Sequence, residues 1–283
     1  MSAHDSAATI EAAVRSVINQ TFVDWELILI DDGSHDDGAS RIAKFSDLRI
    51  RIIHRSERKG LASRLNEAVG LARGAYIARM DADDICYPER LKAQVDFLQA
   101  NPEVDLVASK AIVFRGAGEI LGVMSPSIAH EGIIARPYNG FVFPHPTWCG
   151  RAAWFREHKY DETMPITQDQ ELLLRAARRS RFATVDRILL GYRKDGISLS
   201  KSARGRMLFS RALWRHASQS GGKSRAVVQI ARQIAIFGAD AAAIGVRAEE
   251  WLLRRKVVTH LTENERAQWH ALWRDMNIAD DGA

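Results

Sequence analysis

Three carboxylates fall within four residues at Asp81-Ala82-Asp83-Asp84, directly after the apolar run Tyr76 to Met80. Like charges this close repel one another unless a cation or the solvent relieves them, and a hard divalent ion bridged to phosphate oxygens does so well. The cluster therefore points to Mg²⁺ or Mn²⁺. An acidic helix start ahead of Pro88 is the other reading of the same residues. Two further acidic groups stand out: Asp31-Asp32, before Gly33-Ser34, and Asp169 with Glu171 in the stretch Thr167 to Leu172. The first reads either as a ligand-facing pair or as an Asp turn satisfying its own backbone, the second as a source of a general base or as a plain acidic helix start.

Each group needs an element to hold it. Glu26 to Ile30 is a short, nearly continuous apolar run, the pattern of a strand buried on both faces of a parallel sheet. Ahead of it Ile10, Val14, Val17 and Ile18 recur at helical spacing, and that helix ends near Asn19. The unit repeats, with Arg51 to Ile53 as a strand, Leu61 to Ala72 as an amphipathic helix and Tyr76 to Met80 as a strand running into Asp81. Pro88 suits the first turn of a helix reaching about Ala100, and Val104 to Ala108 is the next strand. Such alternation predicts a mostly parallel α/β sheet whose ligands gather at the strand carboxyl ends. Beyond Lys110 the pattern predicts a hairpin through Gly116-Ala117-Gly118, a helix from Gln168 to Ser180, and two strands, Phe182 to Val185 and Ile188 to Arg193. From Lys201 it predicts helices broken at Gly221-Gly222 and near Gly238.

A chain of 283 residues, 46% hydrophobic, buries a core of ordinary size without a disulfide staple. Its two cysteines, Cys86 and Cys149, match no zinc spacing, and a reducing cytoplasm is the simplest expectation. The opening residues lack the pattern of a signal peptide. The most apolar window, Val227 to Val246, carries Gln229, Arg232, Gln233 and Asp240 and is expected to fail as a membrane-spanning helix. The net charge of +5 is uneven: residues 201–283 hold 14 Lys and Arg against 8 Asp and Glu, the remainder 26 against 27. No basic patch with interleaved aromatics marks a nucleic-acid binder.

The motifs occur in an order that resembles a family 2 glycosyltransferase, from about Ala3 to Ser200. Ala13 to Asp37, reading AVRSVINQTFVDWELILIDDGSHDD, is similar to the family's first helix and second strand with its DDGS turn. Lys59 to Asp84, reading KGLASRLNEAVGLARGAYIARMDADD, resembles its nucleotide-flanking helix and its metal-binding DxD. The resemblance implies a GT-A fold over residues 1–200, a helical accessory extension over residues 201–283, and inverting sugar transfer from a nucleotide-diphosphate donor, UDP by default, to a hydroxyl of a glycan or lipid-linked acceptor. It implies Asp31 and Asp32 beside base and ribose, Asp83 on the metal, Asp81 on the metal or ribose, and Lys59 and Arg64 near the phosphates. Asp169 matches the base of the family's ED motif, although Gln168 replaces the Glu, and Glu171 is the second choice. Tyr192-Arg193 resembles the segment closing over the diphosphate, where Arg193 meets phosphate charge. His145 is read as a ligand or as a satisfied structural histidine. The family's usual first strand is missing, with Met1 to Asp5 standing where its terminal turn belongs.

Two other classes compete: a sugar nucleotidyltransferase, which the absence of a glycine-rich opening phosphate loop disfavours, and a catalytically impaired binding protein on the same fold. Bacterial-type surface glycan or polysaccharide synthesis is the expected setting. The basic tail is expected either to contact the inner face of the plasma membrane or to bury its apolar face on the catalytic domain. Gly221-Gly222-Lys223-Ser224 is expected to be a helix break rather than a phosphate loop, and Trp251, Trp269 and Trp273 are expected to pack helices.

Overall fold

The computed structural model describes residues 1–196, 198–245, 257 and 260–277; Trp251 lies outside them. The first half alternates as expected: β1 (Ser2–Ala3), α1 (Ile10–Ile18), β2 (Leu27–Asp32), α2 (Gly38–Ile42), β3 (Ile50–Arg55) and α3 (Leu61–Leu71). These three strands form a parallel sheet in the order β1-β2-β3. Every residue of β2 is buried, as a strand covered on both faces requires. Helix α1 turns Ile10, Ala13, Val14 and Val17 inward at helical spacing.

The second half comprises β4 (Tyr76–Ala78), β5 (Ile85–Cys86), α4 (Arg90–Ala100), β6 (Leu106–Arg115), β7 (Glu119–Met124), α5 (His130–Ile134), β8 (Cys149–Arg151), α6 (Ala152–Glu157), α7 (Gln168–Ala176) and β9 (Phe182–Arg193). Its sheet runs β4-β8-β6-β9-β5, with β7 beside β6. Only β6 and β9 pair in parallel here; the β4-β8, β8-β6, β6-β7 and β9-β5 ladders are antiparallel. The α/β class holds, but the sheet is mixed rather than mostly parallel, because β7 returns on β6 as a hairpin and the short β8 inserts antiparallel between β4 and β6. The two runs expected between Phe182 and Arg193 form one strand, since a register shift at Ser109/Lys110 absorbs Asp186 and Arg187 and one at Lys110/Ala111 absorbs Leu189, while the Lys110 side chain forms an ion pair with Asp186.

The expected gap at the first strand is partly closed. Two residues, Ser2 and Ala3, pair with Ile30 and Asp31, and a single parallel bridge from Ser2 to Asp81 joins the two sheets.

Helices α8 (Leu199–Ser220), α9 (Lys223–Gly245) and α10 (Glu263–Asn277) follow. Gly221, at φ 78°, ends α8, so the Gly-Gly-Lys-Ser stretch is a helix break. Gly238 does not interrupt α9; a lone glycine costs a helix only about 1 kcal/mol. Contrary to the sequence expectation, α9 is long and apolar enough over Lys223–Ile244 to cross a membrane by length and composition, and only 11% of its most apolar stretch is buried. Two of its polar residues, Gln233 and Asp240, are buried: Arg206 of α8 donates to Gln233 at 2.7 Å and to Asp240 at 2.6 Å. Helix α10 packs on the sheet. Trp269 is fully buried against Phe114 and donates to the Gly118 carbonyl at 2.8 Å, with Trp273 one turn on also against Phe114.

Candidate active site

The turn after β4 brings the carboxylates of Asp81, Asp83 and Asp84 together, one oxygen from each lying within 4.8 Å of the others. Asp81 pairs with Arg79, a buried cation. Asp84 is fully buried; its Oδ1 accepts from the Arg193 N–H at 2.9 Å, and its Oδ2 has no hydrogen-bond partner among the described residues. Burial first, then the charges of Asp81 and Asp83, holds the Asp84 carboxyl well above the carboxylate range. Asp83 is raised to about 6, by desolvation of its carboxyl first and by Asp81 second, although the residue as a whole remains exposed. Three hard oxygen donors and one buried orphan oxygen fit Mg²⁺ or Mn²⁺, and they add Asp84 to the expected pair. The signal for Asp84 was the acidic run itself.

Asp31 and Asp32 end β2, but their surroundings differ. Asp32 accepts from the Lys59 and Gly60 N–H groups, each at 2.8 Å, and from Arg64 Nε at 2.6 Å. Both Asp32 and Arg64 are 3% exposed, so the pair anchors the start of α3, and Arg64 also donates to Glu67 at 2.9 Å. Gly60, at φ 87°, makes that turn. The Lys59 side chain stays exposed. Asp31 accepts from Ser34 N–H at 3.0 Å and faces His54 at 3.3 Å. Burial pushes its carboxyl up, but the bonds from Ser34 and His54 outweigh that and hold it below the usual range.

Asp169 sits in the first turn of α7, half-buried, accepting from Gln170 at 3.0 Å. Thr167 ahead of it takes the left-handed conformation, φ 64°, an uncommon one for a branched residue. Its neighbour Gln168 is buried, and Oε1 there has no partner among the described residues. Glu171 points elsewhere: Arg175 and Arg215 occupy its two oxygens, Arg215 at 3.1 Å. His145 is a satisfied core histidine, bonded to the Tyr160 hydroxyl at 2.8 Å; burial and then Arg79 keep its pKa well below 6.5. Tyr160 is the residue the sequence did not suggest. Burial pushes the pKa of its hydroxyl up, with Arg79 lowering it and Asp169 and Asp81 raising it further.

Arg193, at the end of β9, donates from Nε to the Asp83 carbonyl at 3.2 Å and from Nη1 to the Gly116 carbonyl at 3.1 Å, its guanidinium 4.7 Å over Phe114. The structure thus gathers Asp81, Asp83, Asp84 and Arg193 at one point, while Asp169 stands apart at the start of α7. It gathers Asp32, Arg64 and the Lys59 backbone at a second point, around the end of β2.

The chain matches the Glycosyl transferase family 2 model over residues 1–159, and it belongs to that family. It is 37% identical over 176 residues to EpsE of Bacillus subtilis (strain 168), covering 60% of this chain and 62% of that one. WfgD of Escherichia coli, a UDP-Glc:alpha-D-GlcNAc-diphosphoundecaprenol beta-1,3-glucosyltransferase, is 36% identical over 101 residues, 36% of this chain and 40% of that one. The chain therefore spans less than two thirds of these relatives' length. Among solved structures, S. aureus TarS 1-349 in complex with UDP is similar with a TM-score of 0.60 at 17% identity, covering 97% of this chain and 78% of that one. The mannosyltransferase PcManGT of Pyrobaculum calidifontis, in complex with GDP-Man and Mn²⁺, is similar at 0.56 and 16%, covering 99% and 86%. Likeness at this identity establishes the fold, GT-A.

Proposed function

We propose that this chain moves one sugar, with inversion, from a nucleotide-diphosphate donor to a hydroxyl of a glycan or lipid-linked acceptor. The observation that carries the reading is the buried Asp84 oxygen, left without a partner among the described residues, in the acidic turn it shares with Asp81 and Asp83. Asp81, Asp83 and Asp84 hold Mg²⁺ or Mn²⁺, which when bound supplies positive charge for the departing diphosphate. Arg193 adds to that charge. Asp31 accepts from the base or ribose, while Asp32, Arg64 and the Lys59 backbone set the shape of the same wall, with the Lys59 side chain free to meet phosphate. Asp169 takes the acceptor hydroxyl proton as that oxygen attacks the anomeric carbon.

Solved neighbours bound to UDP or GDP-Man support a nucleotide sugar as donor, with UDP the default base. Relatives named for diphosphoundecaprenol-linked sugar and for succinoglycan biosynthesis support a surface-polysaccharide setting. A cytoplasmic protein resting on the inner face of the plasma membrane fits α9, whose Val227, Val228 and Ile234 are exposed. Screening nucleotide sugars for Mn²⁺-dependent hydrolysis tests the activity; no turnover with any donor, alongside retained donor binding, would instead favour the catalytically silent binding protein.

A further inference from the structure

Gln170 follows Asp169 on α7, and adjacent helix positions point about 100° apart. Their side chains nonetheless touch, with Gln170 Nε2 donating to Asp169 Oδ2 at 3.0 Å. Helix geometry does not make that contact, so the amide must be held from outside. Phe141 holds it. Its N–H donates to Gln170 Oε1 at 2.7 Å, and its carbonyl accepts from Gln170 Nε2 at 3.3 Å.

This clamp fixes which end of the amide meets the acid. Turned over, the amide would set its NH2 group against the Phe141 N–H, and its oxygen against both the Phe141 carbonyl and the Asp169 carboxylate. The group facing Asp169 is therefore a donor. Phe141 is itself anchored: it is buried in one core cluster with Leu172, Leu173 and Phe209, and the 3₁₀ turn just ahead, Pro137–Asn139, sets the Tyr138 ring edge-on to His216 of α8. Between them Gly140 takes φ 87°, and a Cβ there would come 3.2 Å from Gln170 Oε1, so the close approach needs glycine.

The other oxygen of Asp169, Oδ1, makes no hydrogen bond among the described residues. We propose that Gln170 is a positioning residue for sugar transfer: it ties down Oδ2 of Asp169 and leaves Oδ1 to take the proton of the acceptor hydroxyl. This rests on Asp169 as the base. The acceptor O–H bond breaks, its proton passes to Oδ1, and the freed electron pair forms the bond to the anomeric carbon as the bond to the diphosphate oxygen breaks. A carboxylate free to turn about its last bond presents Oδ1 only part of the time, and a fixed donor on Oδ2 removes that freedom. The residue type fits both tasks. Glutamate would accept from Phe141 but bring a second negative charge to Asp169, and leucine would leave both Phe141 backbone groups unpaired.

Gln170→Glu keeps the length and the Phe141 N–H bond while removing the donor to Asp169. In steady-state transfer assays its kcat should fall about tenfold or more, with the donor KM nearly unchanged. The same change made in Asp169→Asn should cost less than about twofold, because a residue acting through Asp169 then has nothing left to position. A purely structural clamp would cost the same factor in both backgrounds; that result overturns the proposal, as does full turnover in Gln170→Glu. Urea denaturation without substrate closes the same cycle. Gln170→Glu should lower the midpoint, and Asp169→Asn/Gln170→Glu should restore most of it, the two side chains having exchanged donor and acceptor. Additive losses there overturn the contact itself, whatever the activity. A parent chain that turns over no donor overturns the base reading and with it the positioning role, whereas coupled stabilities in that case keep the contact.

Discussion

Arg193 N–H donates to Asp84 Oδ1 at 2.9 Å, so the last residue of β9 holds the buried acid of the turn after β4. The two strand ends are therefore one unit, and the other oxygen of Asp84, Oδ2, has no hydrogen-bond partner among the described residues. This relationship governs how the site responds to protons and to metal.

Asp83 is raised to about 6, and a carboxyl raised on folding binds more protons folded than unfolded. Its contribution to stability is complete below about pH 4 and is lost as pH rises through about 6. In metal-free protein the thermal midpoint should show a downward component over that window, and Asp83→Asn should remove it. Added Mn²⁺ should raise the midpoint more at pH 7 than at pH 5, because protons compete for the same oxygens. An equal Mn²⁺ effect at the two pH values, or an unchanged one in Asp83→Ala, would take this residue out of the metal site.

Asp169→Asn keeps the shape of the side chain and removes the base. Turnover should fall by ~10²–10⁴-fold with donor affinity nearly unchanged. Glu171→Gln should behave differently, costing about 1–2 kcal/mol of stability through lost charge on Arg175 and Arg215 while leaving turnover of the folded protein near its parent value. Steady-state kinetics with a denaturation curve for each variant separates the roles, and a turnover collapse in Glu171→Gln would move the base there.

Arg64→Met leaves Asp32 buried without its cation. The expected loss is about 3–5 kcal/mol, with the double variant Asp32→Asn/Arg64→Met recovering part of it. Urea denaturation reads the change. A cost below about 1 kcal/mol would mean that the pair serves a ligand rather than the turn before α3.

Flotation with vesicles reads the surface of α9. The protein should rise with anionic and not with neutral vesicles, release at high salt, and lose binding in Val228→Glu/Ile234→Glu. Binding unaffected by those two changes would place membrane contact elsewhere or nowhere.

The acidic turn was legible because its residues are adjacent in sequence and end an apolar strand. Asp32 was visible as an acid but not as an anchor, since two of its partners are backbone N–H groups at Lys59 and Gly60, which no side-chain pattern encodes. Asp169 was ranked ahead of Glu171 on the resemblance alone; two residues apart on a helix they face differently, and Glu171 is taken up by Arg175 and by Arg215 from a distant helix, a partner no local pattern encodes. The mixed sheet was hidden because β8 is three residues long and carries no periodic signal. Trp269 was read correctly as a packing residue, yet its hydrogen-bond partner, Gly118, lies 151 positions away.

A side chain at Gly191 would put its Cβ 2.2 Å from the Trp269 ring, and one at Gly118 would meet Trp273 at 2.7 Å. Gly191 lies on β9 two residues before Arg193. The indole of α10 is thus keyed into a notch in the strand whose end steadies the acidic turn. The C-terminal segment is consequently no interchangeable cassette: a chimera that grafts another family member's tail onto residues 1–200 inherits a hole over Phe114. A graft that keeps this tail on a sheet without both glycines meets a collision instead.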